Sequence, residues 1–107
     1  MKVLFDQGVP EPLRRVLPGH AIETAFERGW SRLTNGDLLR AAEAAGFAAV
    51  VTTDRNVRHQ QNLAGRPLGV LVLPTTNWPR IRLHADLVAQ GLAALAPGDV
   101  RDVVFPD

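Results

Sequence analysis

Short apolar runs that end in polar residues, alternating with helix-forming stretches, constrain this chain more than any other feature. Ala48-Ala49-Val50-Val51 stops abruptly at Thr52-Thr53-Asp54-Arg55-Asn56. Lys2-Val3-Leu4-Phe5 ends on Asp6, and Gly69 to Leu73 closes with Pro74-Thr75-Thr76-Asn77. Runs this short and apolar, bounded by turn-forming residues, fit strands buried on both faces of a parallel sheet. His20 to Ala25 and Val100 to Phe105 read as two further, weaker strands.

The intervening stretches carry helical signals. Pro10 to Leu17 reads as a short helix with Leu13, Val16 and Leu17 at i, i+3, i+4, Arg14 and Arg15 opposite, and Pro18-Gly19 as its stop. Ala25 to Gly29 allows one helical turn. Thr34 or Asn35 can cap the next helix, with Asp37 in its first turn and Gly46 ending the alanine-rich Leu38 to Ala45. A short polar helix is expected near Val57 to Leu63. Arg80 to Leu95 reads as the longest helix, with Ile81, Ala85, Val88, Leu92 and Leu95 on one stripe before Pro97-Gly98. The order β-α-β-α-β-α-β-α-β predicts a three-layer α/β/α sandwich with a mostly parallel sheet of about five strands. Its crossovers are expected to be right-handed. At 107 residues, the whole chain, 1–107, is expected to form a single domain.

Composition narrows the function classes. Apolar residues make up 46% of the chain, which excludes bulk disorder. Twelve Lys and Arg against eleven Asp and Glu argue against nucleic-acid binding by charge alone, while leaving room for a local basic face. No cysteine is present, hence no disulfide, thiolate site or cysteine nucleophile. No hydrophobic run reaches membrane-spanning length, and the N-terminus enters a strand. A soluble, cytoplasmic protein is expected.

In open α/β sheets, ligands bind beyond the carboxyl ends of the strands. Asp6 and Asp54 end two core strands there, and neighbouring parallel strands lie only about 4.8 Å apart. The two carboxylates could therefore share a divalent cation, Mg²⁺ or Mn²⁺, which takes hard oxygen ligands. On its own, each aspartate fits a turn-capping role equally well. Asp37 is a third candidate, although the helix dipole alone explains an acid in a first turn. Asn56, Arg58, His59, Gln60, Gln61 and Asn62 add amides and cations beside Asp54; a solvent-facing helix accounts for the later ones. His20 and His84 read as structural, and Trp30 and Trp78 as core or lid residues. Glu43, Asp86, Asp99 and Asp102 read as solvated or capping. No glycine-rich phosphate loop is present.

The segments Leu4-Phe5-Asp6-Gln7-Gly8-Val9-Pro10, Gly29-Trp30, Asn35-Gly36-Asp37-Leu38-Leu39 with Ala42, and Val50-Val51-Thr52-Thr53-Asp54-Arg55-Asn56 together resemble the PIN-like (PilT N-terminal-like) family. More narrowly, they resemble small stand-alone bacterial members related to VapC-type toxins. The resemblance covers roughly the first two-thirds of the chain and implies an α/β/α sandwich whose acids gather Mg²⁺ or Mn²⁺. It implies a metal-dependent endoribonuclease, the toxin of a toxin–antitoxin pair, with RNA as substrate, a cognate antitoxin as partner, and a homodimer. By that resemblance Asp6, Asp37 and Asp54 are the metal-holding and catalytic acids. Thr53 and Asn56 would form an outer shell, and Arg55 or Arg58 would steady the phosphate. Gln7, Asn35 and Asn56 stand where family members often carry further acids. An alternative is therefore a catalytically degenerate PIN-like module that binds RNA or a partner protein. A third reading is a receiver-like or nucleotide-binding domain, in which a small phosphodonor would label Asp54.

Overall fold

The computed structural model describes residues 1–57 and 62–106. Five strands form one all-parallel sheet in the order β2-β1-β3-β4-β5. They are β1 (Lys2–Phe5), β2 (Ala21–Thr24), β3 (Ala49–Thr52), β4 (Gly69–Val72) and β5 (Val100–Asp102). The three most apolar runs occupy the middle, where all residues of β3 and β4 are buried. The weaker runs, β2 and β5, are the part-exposed edges. An edge strand keeps one side wet, so it tolerates polar residues that a central strand cannot. The expected α/β architecture with a five-stranded parallel sheet is thus met.

The pleat sorts side chains by parity. Val3, Phe5, Ala49, Val51 and Leu71 face a core shared with Leu13, Leu17, Ile81, Val88 and Leu92. Leu4, Val50, Val70 and Val72 face the opposite core, against Leu38, Leu39 and Ala42 of α1 (Asn35–Ala44) and against Val57 and Leu63. Helical segments therefore cover both faces. Thr34 caps α1, its Oγ1 accepting the Asp37 N–H at 3.3 Å. Gly46, at φ 84°, ends the helix in the left-handed conformation that glycine adopts without a Cβ clash.

Two helical expectations are corrected. The segment after β1 is a 3₁₀ helix over Glu11–Val16 rather than an α-helix, being only six residues long with Pro10 as its cap and Pro12 near its start. So short a stretch gains little from α-helical cooperativity. Leu13 and Leu17 are buried as expected, but Val16 is 41% exposed. The longest expected helix is two: α2 (Trp78–Leu83) and α3 (Ala85–Ala94). His84 breaks it at φ −119°, ψ 27°, its N–H bonding Ile81 O while its ring stacks on Phe105 at 4.8 Å. The apolar stripe survives the break, because Ile81, Val88 and Leu92 all reach one core. Among the described residues no helix is long and apolar enough to cross a membrane.

Candidate metal centre at the carboxyl edge of the sheet

β1 pairs with β2 on one side and β3 on the other, so successive crossovers from β1 run in opposite directions along the sheet. That reversal opens a crevice between the carboxyl ends of β1 and β3, the place where parallel sheets bind ligands. Asp6 follows β1 directly, its N–H continuing the ladder to Val51 O at 2.9 Å. Asp54 lies two residues past the end of β3. By parity Asp6 continues the row of Leu4, while Thr52 and Asp54 continue the row of Val50, all on the α1 side.

Thr52 joins the two aspartates. Its Oγ1 donates to Asp6 Oδ2 at 2.9 Å and accepts the Asp54 N–H at 3.1 Å. It is the one polar residue buried among those described, at 3% exposure. A buried hydroxyl needs partners, and these two satisfy it. The other Asp6 oxygen accepts the Gln7 N–H at 2.7 Å.

Asp54 is held from two directions. Asn35 Nδ2, from the first turn of α1, donates to Oδ2 at 2.7 Å, and the Asn56 N–H donates to Oδ1 at 2.9 Å. The second contact is the side-chain-to-backbone turn typical of aspartate. The Asn35 bond first, then the Asn56 bond, hold the Asp54 carboxyl below its ordinary value, with burial opposing them. Both stabilise the anion, so Asp54 is ionised at neutral pH.

Asp37 sits elsewhere. Two positions along an α-helix turn a side chain by about 200°, so with Asn35 facing Asp54, Asp37 faces away. It is half-exposed and paired with Arg40. That pairing, then the Thr34 contact, lower its pKa. Among the described residues no three histidines or acids stand close enough to hold one ion together.

The remaining sequence candidates divide similarly. Thr53 has the opposite parity, and its Oγ1 lies over Gly8, 2.3 Å from where a Cβ would stand. Arg55 turns towards the next strand, Nη2 donating to Pro74 O at 2.8 Å. Gln7 and Asn56 are exposed and contribute their backbone N–H groups. Arg58 and the rest of 58–61, including His59, lie outside the described residues. Trp30 meets Phe47 edge-on and Trp78 packs against the opposite core, both part-buried. Glu43, expected to be solvated, instead pairs with Arg66.

Sequence reasoning passed over Thr52 in favour of Thr53. The period of two from Val50 was the signal that could have found it. A recess of about 10 Å³, lined by Asp6, Asn35, Thr52 and apolar neighbours, lies beside Asp6. That is about the room of one water. The two carboxylates are hard-oxygen groups, while the Asn35 amide presents its N–H to Asp54; Mg²⁺ commonly binds through one or two carboxylates plus substrate phosphate and water. By the chemistry of their oxygens, Asp6 and Asp54 are the residues that would hold such an ion. No family model, curated protein or solved structure matches the chain.

Proposed function

We propose that the protein is a metal-dependent ribonuclease of the PIN-like class, with Asp6 and Asp54 as the residues that hold Mg²⁺ or Mn²⁺. The observation that carries this reading is buried Thr52, which links the Asp6 carboxylate to the Asp54 backbone N–H beside the point where the strand order reverses. A cation there would act as a Lewis acid on a phosphodiester. Thr52 orients Asp6, and Asn35 orients Asp54 and keeps it charged. Arg55 follows Asp54 in sequence, and its guanidinium, directed towards Pro74, suits an RNA phosphate away from the cation. Asp37, paired with Arg40, is left out of this ligand set.

The test is cleavage of single-stranded RNA with Mn²⁺ or Mg²⁺. Asp6→Asn and Asp54→Asn should each lower the rate by at least about 100-fold, since even outer-shell changes at metal sites cost 10–100-fold. Unchanged cleavage in both variants sinks the assignment. The PIN-like resemblance extends the reading to the toxin of a toxin–antitoxin pair in the cytoplasm. Growth arrest on induction, relieved by Asp54→Asn, tests that extension.

A second reading, a degenerate PIN-like module that binds RNA or a protein, is favoured by one observation. All four oxygens of Asp6 and Asp54 already accept hydrogen bonds from protein donors. Calorimetric titration separates the two readings: no heat with Mn²⁺, together with intact RNA, selects the module.

A further inference from the structure

A second concavity opens along the same edge of the sheet, at the carboxyl ends of β4 and β5. It measures about 460 Å³, and Arg55, Pro74, Arg80, Asp102, Val104 and Phe105 are among the residues lining it. That volume lies in the range of small-molecule sites. Parallel strands about 4.8 Å apart put the end of β5 roughly 10 Å from the end of β3, so the cleft and the Asp6–Asp54 pair share one face of the molecule.

The lining is chemically specific. Arg55 and Arg80 bring two guanidiniums to one cleft, and guanidiniums suit the geometry of phosphate oxygens. Both heads are held in place. Arg55 spends one donor on Pro74 O at 2.8 Å, and Arg80 lies 5.8 Å from the Phe105 ring centroid. His84 stacks on Phe105, and the ring is only 5% exposed. Phe105 therefore serves as a platform for Arg80 rather than a surface for a base. Val104, 78% exposed at the rim, offers apolar contact to a sugar or base edge. Asp102 lines the same cleft, and its carboxylate is an acceptor of the kind that ribose hydroxyls meet.

We infer that this cleft is a ribonucleotide subsite: Arg55 and Arg80 hold a phosphate, and Asp102 accepts a ribose hydroxyl. The inference rests on the RNA-cleaving reading above, for which it supplies the place of a nucleotide flanking the scissile bond. It also separates the roles along the edge of the sheet, cation at β1 and β3, substrate backbone at β4 and β5.

The experiment is an NMR titration of the full chain in EDTA with adenosine 5′-monophosphate, its 2′-deoxy counterpart and inorganic phosphate. The ribonucleotide should shift the Arg55 and Arg80 Nε resonances and the amides of Leu73 and Val104. Arg55→Gln and Arg80→Gln should each weaken it by about tenfold or more, the worth of a charge-assisted contact. Arg80→Lys, which keeps the charge, should retain more affinity than Arg80→Gln. With a single-stranded RNA oligomer, each lost phosphate contact should flatten the salt slope of log K by about 0.7. Affinity indifferent to both arginine-to-glutamine changes overturns the subsite, as does equal affinity for inorganic phosphate and nucleotide. Equal affinity for the deoxynucleotide overturns the role of Asp102. The titration needs no cation, so its failure and a failure of metal-dependent cleavage are read separately.

Discussion

Asn35 sits where an acid would have enriched the negative charge of the crevice, yet its amide does something an acid could not: it donates to Asp54. Replacing Asn35 with alanine should let the Asp54 pKa rise towards its ordinary 3.8, followed by carboxyl ¹³C chemical shift against pH. Because the folded value is depressed, the stability this contact supplies is present above pH 3.8 and lost as pH falls through the folded value. An unmoved titration would mean that Asn56 alone holds the anion. Thr52→Val is a harsher change, for it removes the donor to Asp6 and strands the Asp54 N–H. A buried donor left without a partner costs about 1–3 kcal/mol, measurable by urea denaturation. The apolar-to-polar switches after Phe5 and after Val51 made the two strand-end aspartates legible in the sequence. Thr52 was hidden by its neighbour: two adjacent threonines look alike until the pleat assigns one to each face. Asp37 shares a turn with Asn35 but not its face, since closeness along a helix is not closeness around it.

At the scale of elements, small side-chain contacts decide where segments stop. Thr24 and Glu27 form a reciprocal pair, the Thr24 N–H donating to Glu27 Oε1 at 2.9 Å and the Glu27 N–H to Thr24 Oγ1 at 3.1 Å. This is the capping-box arrangement, and it accounts for the turn over Ala25 to Gly29. Arg14 of the 3₁₀ helix then joins Glu27, tying that helix to the end of β2. The Arg14 contact, followed by the Thr24 N–H, holds Glu27 down to about 2 from 4.5. Arg14→Gln should bring its titration back towards 4.5; a Glu27 unmoved by that change would show the tie to be absent in solution. The sign again follows from a depressed value: the tie is intact above pH 4.5 and weakens as pH falls towards 2. Gly8 plays the steric counterpart after β1. Its φ is unremarkable, but a Cβ there would stand 2.3 Å from Thr53 Oγ1. Gly8→Ala should therefore displace the Thr53 hydroxyl and lower stability, read as a fall in the urea midpoint. The five strands and the helix over Asn35–Ala44 were legible from apolar runs, caps and turn residues, while the helix expected near Val57 to Leu63 falls largely outside the described residues. The break at His84 was not, because the apolar stripe continues through it and the ring's partner, Phe105, is distant in sequence.

For the whole molecule, the question is how the fold and the proposed cation would depend on each other. The sheet would not need the ion: Asp6 and Asp54 have backbone, hydroxyl and amide donors, and neither belongs to the two apolar cores. Chelation should therefore leave the protein folded, unlike a small domain organised around a structural metal. An ion that binds only the folded state must still raise its stability, by about 2.7 kcal/mol at a hundred times its dissociation constant. In a domain of about this size each kcal/mol moves Tm by about 4–8 °C. Mn²⁺ should thus raise Tm in a concentration-dependent way for the wild type, and the rise should vanish in both Asp6→Asn and Asp54→Asn. Asp37→Asn, on the exposed side of α1, should keep it. That contrast is informative because it opposes the geometry of the fold to the family resemblance. A rise that survives loss of Asp54 but not of Asp37 would place the ion at the helix surface. A rise lost with Asp6 and Asp54 alone would tie it to the crevice where the strand order turns.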